Sequence, residues 1–160
     1  MPNESAMTIE TDGRKVWRNK QGQRHRLDGP AIEYANGIKH WYQNSQRHRL
    51  DGPAIEDADG TKYWYQKDQL HRTDGPAIEH ANGTKHWYQK GKLHRRDEPA
   101  IEDADGSKYW YIKGKRRYAA VCFREGQTTK KQYVETYAQA YEMMCENLRN
   151  EICSWVEELK

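Results

Sequence analysis

A unit of 23 residues recurs four times with almost no drift. His25, His48, His71 and His94 each open the pattern His-Arg-x-Asp-Gly-Pro-Ala-Ile-Glu-x-Ala-(Asn/Asp)-Gly-x-Lys-(His/Tyr)-Trp-Tyr, with Glu98 standing at the glycine of the last copy. A fixed period in this range marks a structure made by stacking one supersecondary unit, because no single copy can bury its own apolar side. Successive copies therefore offer the same side chains at regular intervals. Most catalytic architectures need different groups converging on one atom instead.

Composition agrees with a thin fold. Of 160 residues, 32% are charged and 35% hydrophobic, and the mean hydropathy is −1.27. Such a chain is too polar for a thick core, yet six tryptophans and eleven tyrosines exclude a disordered polar chain. Trp and Tyr suit half-exposed sheets, since each keeps a polar group that reaches water or a partner. The net charge of +3 is mild, which disfavours a nucleic-acid groove with its clustered positive charge. No apolar run reaches membrane-spanning length, and Met1-Pro2-Asn3-Glu4-Ser5 lacks the basic start of a signal peptide, so a cytoplasmic protein without membrane contact is expected. Cys122, Cys145 and Cys153 are odd in number and lie outside the repeats, which reads as free reduced thiols.

The chain divides accordingly. Residues 1–7 are expected to be disordered, 8–126 to form the repeat domain and 127–160 a C-terminal amphipathic helix. Within the repeat domain lie a half-repeat at 8–24, full repeats at 25–47, 48–70, 71–93 and 94–116, and a closing strand at 117–124. Asn36-Gly37, Asp59-Gly60, Asn82-Gly83 and Asp105-Gly106 each separate two short segments rich in Ile, Trp and Tyr. That pattern is a strong hairpin signal, and it points to two-residue type I′ turns. The fold class is therefore mainly β: an elongated antiparallel meander of repeated β-hairpins. In the tail, Val134, Tyr137, Tyr141, Met144, Leu148, Ile152, Trp155 and Leu159 fall at helical spacing on one stripe. About thirty helical residues span about 45 Å, and four hairpins advance about 40 Å. The helix is thus expected to cover the sheet, the rival reading being that its stripe pairs with a second copy as a short coiled coil or docks a partner protein.

Type I′ pairing sets the faces. It puts Ile32 opposite Trp41 and repeats this as Ile55 with Trp64, Ile78 with Trp87 and Ile101 with Trp110, an apolar ladder assigned to the core. Asp57 with Lys62 and Asp103 with Lys108 become ion pairs at the tips. The other face then carries the alanines and a carboxylate opposite an imidazole or phenol in every copy. The candidate partner-binding residues are Glu33, His40, Tyr42, Glu56, Tyr63, Tyr65, Glu79, His86, Tyr88, Glu102, Tyr109 and Tyr111.

Two chemical readings fail on geometry. Equivalent histidines in successive hairpins lie about 9.6 Å apart, whereas the ligands of one zinc ion all lie within about 2.3 Å of it. The recurrent His and Asp therefore read as a hydrogen-bonded pair holding a turn. No metal, cofactor or catalytic residue is expected, and Glu on the aromatic face would repel the phosphates of a stacked single strand.

The succession Asp-Gly-Pro-Ala-Ile-Glu-x-Ala-Asn-Gly-x-Lys-x-Trp-Tyr resembles the MORN-type repeat, in the variant of bacterial YwqK-like proteins, over residues 8–116. The resemblance implies an elongated antiparallel sheet and a scaffold or protein-binding role, and the YwqK-like group is often labelled antitoxin. The tail at 128–160 lies outside it. The sequence thus points to a non-enzymatic module that binds, and neutralises or inhibits, another protein, as an antitoxin, an immunity protein or a phage inhibitor of host defence would. The other reading is a structural scaffold that self-associates as a homodimer through residues 128–160.

Overall fold

The computed structural model describes the backbone of residues 5–124, 127–134, 139 and 154–157, and side chains of 5–118 and 139. The chain forms two compact units, Met1–Lys92 and Leu93–Lys160. The first is an antiparallel ladder that grows two strands per repeat. Ala6–Ile9 pairs with Lys15–Arg18, and Ile32–Glu33, Lys39–His40, Ile55–Glu56, Lys62–Tyr63, Ile78–Glu79 and Lys85–His86 follow in chain order, each paired with the one before. Each repeat adds a second, separate hairpin, in which Tyr42–Gln43 pairs with Gln46–Arg47 and Tyr65–Gln66 with Gln69–Leu70. A mainly β meander of repeated hairpins is therefore what the chain forms.

The second unit begins with the fourth copy. Ile101–Glu102 pairs with Lys108–Ile112, which pairs in turn with the long strand Lys115–Arg124. That strand also pairs with Gln127–Val134, across a bulge between Cys122 and Phe123, and with Ser154–Glu157. The expected helix is thus replaced by strand at Gln127–Val134 and Ser154–Glu157. The rest of its span, apart from Gln139, lies outside the described residues, as do Cys145 and Cys153. At the other end, Ala6 and Met7 already belong to a strand rather than to a disordered terminus.

The turns reverse the sequence expectation, and with it the faces. At Ala35-Asn36-Gly37 the Tyr34 N–H donates to the Ile38 carbonyl and the Gly37 N–H to the Tyr34 carbonyl, closing a three-residue loop. Gly37 lies at φ 93°, and Asn36 is not among the positive-φ residues. Its side-chain oxygen instead accepts the Ile38 N–H at 3.3 Å, as Asp59 does from Thr61 at 2.8 Å. That local bond favours a turn closed by a left-handed glycine over a type I′ turn. The two-residue left-handed turns lie in the second hairpins, at Asn44-Ser45 (φ 49° and 63°) and Lys67-Asp68 (φ 49° and 61°).

One extra loop residue shifts the register by one. Ile32 pairs with His40 and Glu33 with Lys39, and the same holds for Ile55 with Tyr63, Glu56 with Lys62, and Ile101 with Tyr109. Since residues i and i+2 share a face, Trp41 lies with Lys39 and Glu33, opposite the side that carries Ile32 and His40. The expected Ile-Trp ladder is thus split between faces. Glu56 and Glu102, not Asp57 and Asp103, stand opposite Lys62 and Lys108.

The core is small and forms inside the repeats. Val16, Ala31, Ile32 and Tyr42 cluster in the first unit with Tyr34 packed against them. Ala31, Ala54, Ala77 and Ala100 are each 0% exposed. The sequence puts these alanines on the candidate binding face. They are instead the most deeply buried positions among the described residues, so no larger side chain fits there without displacing its neighbours.

Candidate protein-interaction surface

The glutamate face is organised by the arginine that follows each repeat histidine. Arg49 stacks on the Trp41 ring with its guanidinium carbon 4.1 Å from the centroid. Its Nε donates to Asp51 at 3.0 Å, and its Nη1 donates to the Pro53 carbonyl at 3.3 Å and to Glu56 at 3.2 Å. Arg26 over Trp17 with Asp28 and Glu33, and Arg72 over Trp64 with Asp74 and Glu79, repeat the arrangement. One planar, permanently charged group thereby joins an aromatic ring, two carboxylates and a carbonyl. The same bond to Arg49 holds the Asp51 carboxyl below the usual carboxylate range, and Arg72 does so for Asp74.

This clasp explains the repeat glycine. Gly29, Gly52 and Gly75 are absent from the positive-φ positions, but a Cβ on any of them would come within 2.8 Å of the arginine Cζ. In these three copies the glycine leaves room for the guanidinium. In the second unit Arg95 keeps its bonds to the Pro99 carbonyl at 3.2 Å and to Glu102 at 3.1 Å. Glu98, at the glycine position, pairs with Arg95 itself.

The repeat histidines hold turns, as expected, though not through the aspartate. His25, His48 and His71 each accept at Nδ1 from the backbone N–H 19 residues on, at Asn44 (3.1 Å), Lys67 (3.2 Å) and Lys90 (3.0 Å). His94 does the same for Lys113 within the second unit. Each histidine thus secures the first left-handed residue of a second-hairpin turn.

The candidate binding residues are divided between the two faces. Glu33, Glu56, Glu79 and Glu102 lie on the clasp face, each bonded to its arginine. His40, Tyr63, His86 and Tyr109 lie with the isoleucines on the opposite face, as residues that pair with them in the ladder. Tyr42, at 8% exposed, is core rather than surface. Tyr65 and Tyr111 pair with Leu70 and Arg116, and Tyr88 opens the strand Tyr88–Gln89. Rings do gather on that second face: Tyr34 meets His40 edge-on at 5.3 Å, His80 meets His86 at 5.3 Å, and His86 lies 6.4 Å from Tyr88. Burial lowers the pKa of His40 below its ordinary value.

Between successive loops the clasp face opens into two grooves. One is lined by residues including Leu27, Asp28, Trp41 and Gln43, the other by Leu50, Asp51, Trp64 and Gln66. Leu27 and Leu50 are 60% and 75% exposed and stand on the walls of these grooves. Neither the arginines nor these leucines stood among the sequence candidates. The signal was present, since an arginine follows the histidine in all four copies. No helix among the described residues is long and apolar enough to cross a membrane. No group of three or more His, Cys, Asp or Glu among them could hold a metal ion. Compared with known proteins, the chain matches no family model, and no curated protein matches it.

Proposed function

We propose that the chain is a non-enzymatic repeat module that binds another protein and neutralises or inhibits it. The observation that carries this reading is the clasp face, where arginine, tryptophan and two carboxylates recur with fixed geometry over successive repeats, beneath exposed leucines. Rigid elements that present large apolar and charged groups together are how protein interfaces are built. The resemblance to MORN-type repeats of the YwqK-like variant supports the same reading, and it suggests an antitoxin, an immunity protein or a phage inhibitor of host defence acting in the cytoplasm. The histidine and tyrosine array of the opposite face is the second candidate surface.

A pull-down from bacterial lysate with mass spectrometry tests both faces. A specific partner retained by Tyr65→Ala plus Tyr88→Ala but lost with Leu50→Ser assigns binding to the clasp face. The reverse pattern assigns it to the aromatic face. The absence of any specific partner, with light scattering showing dimers of the chain, would favour the self-associating scaffold instead.

A further inference from the structure

The grooves repeat with a defined pitch, and that pitch selects among ligands. The first groove, of about 520 Å3, has Leu27, Asp28, Leu50 and Asp51 in its walls with Trp41 and Gln43. The second, of about 540 Å3, has Leu50, Asp51, Asp74, Trp64 and Gln66 in the equivalent places one copy later, with Thr73 where the first has its second leucine. Successive copies advance by two paired strands, which is about 9.6 Å.

A polyproline II chain has three residues per turn at about 3.1 Å each, so one turn advances about 9.3 Å. One turn of such a peptide therefore fills one groove, and the next turn meets the next. An extended strand repeats every two residues, about 6.8 Å, and falls out of step at once. Polyproline II also leaves its carbonyls free, and proline has no N–H to satisfy. A tryptophan and a glutamine line each groove, Trp41 with Gln43 and Trp64 with Gln66, and both residue types can donate to such carbonyls.

Charge at the rims adds a sequence preference. The side chains of Asp28, Asp51 and Asp74 are 68%, 85% and 79% exposed, whereas those of Arg26, Arg49 and Arg72 are 22%, 23% and 22% exposed. A ligand passing along the groove thus meets carboxylates first. We propose that the clasp face of the first unit binds a proline-rich segment of a partner protein in polyproline II conformation, with Arg or Lys at every third position, one turn per repeat. The inference rests on the protein-binding reading and names the chemistry of the partner.

Fluorescence anisotropy with the full chain tests it, using labelled peptides of one and of three Pro-Pro-Arg triplets and a Gly-Gly-Arg peptide of the same length and charge as the longer one. The longer proline peptide is expected to bind at least about tenfold more tightly than the single triplet, as the second groove is engaged. It should also exceed the glycine peptide by about tenfold, because that chain must be ordered on binding. Leu50→Ser and, separately, Asp51→Asn should each weaken binding several-fold, and Tyr88→Ala on the opposite face should leave it unchanged. Equal binding of the glycine peptide, or no gain with length, overturns the inference. If the proline peptide is inert while a lysate protein is still captured through Leu50, the inference falls and the protein-binding reading stands. If a linear β-linked oligosaccharide binds in a Leu50-dependent way and no protein does, both fall.

Discussion

Arginine is the residue on which each repeat turns, and its neighbours make sense as accommodations to it. Gly52 leaves room for the Arg49 guanidinium, since a Cβ there would meet Cζ at 2.8 Å. Gly52→Ala is therefore expected to shift Arg49 over Trp41 and, because the end of a flexible side chain can give way, to cost at most about 1 kcal/mol, the low end of overpacking. Arg49→Ala removes the group that is crowded. Urea unfolding of both single variants and the double should show that Gly52→Ala costs little once Arg49 is gone, a non-additivity that independent sites would not give. On the other face, burial is the largest influence on His40 and lowers its pKa below the ordinary 6.5, opposed by Asp57 and aided by Arg47 and Arg24. As pH falls through 6.5, the unfolded chain takes up a proton that folded His40 still refuses, so stability declines until the folded imidazole is protonated too. Above that range the residue contributes no slope. Thermal melts from about pH 5 to 8 should flatten in His40→Gln relative to the parent chain.

Two kinds of turn alternate along the chain, and each does a different job. The Asn-Gly and Asp-Gly loops set the register of the main ladder, while the second-hairpin turns hold two left-handed residues in a row at Asn44-Ser45 and Lys67-Asp68. Lys67 sits at φ 49° with its N–H bonded to His48, and a left-handed conformation costs most side chains about 1–2 kcal/mol. Asparagine visits that region more readily. Lys67→Asn should raise stability by up to about 1 kcal/mol in urea titration, with the histidine contact kept. These turns also show where the sequence stops being legible. The repeat period and the hairpins could be read, because apolar spacing and glycine positions report them directly. Register could not, since Asn-Gly serves a two-residue and a three-residue loop alike, and a single residue of difference exchanges the faces of every side chain beyond it. Nothing in Lys67-Asp68 announces a left-handed pair, as neither residue is glycine. The candidate site suffered accordingly: its glutamates and its aromatics belong to different sides, and Tyr42 is part of the core.

Because each copy hands the same contacts to the next, the first unit should tolerate the loss of a whole copy and not of part of one. Deleting residues 48–70 joins Arg47 to His71 and brings equivalent groups together throughout. Arg72 would stack on Trp41 instead of Trp64, Ile78 would pair with His40 instead of Tyr63, and the Trp41 N–H would meet the Ala77 carbonyl in place of that of Ala54. Bonds particular to the removed copy disappear, among them those from the Arg47 N–H and Nε to Asp68 at 3.1 and 2.7 Å and that from the Ala81 N–H to Thr61 at 3.2 Å. In an array whose stability is close to a sum of copies and their interfaces, the shortened chain should still unfold cooperatively, at a lower denaturant midpoint. Its urea m-value should fall by about a seventh, the share of the 160 residues removed. Deleting only 48–59 has a different consequence. It removes the loop and strand that carry Arg49, Ala54, Ile55 and Glu56, leaves Trp41 without the arginine that stacks on it, and feeds Lys62–Tyr63 into the ladder position of a strand running the opposite way. That chain should lose its cooperative transition and its near-ultraviolet tryptophan signal. If both deletions proved equally harmless, or equally damaging, the repeat would not be the unit in which this fold is assembled.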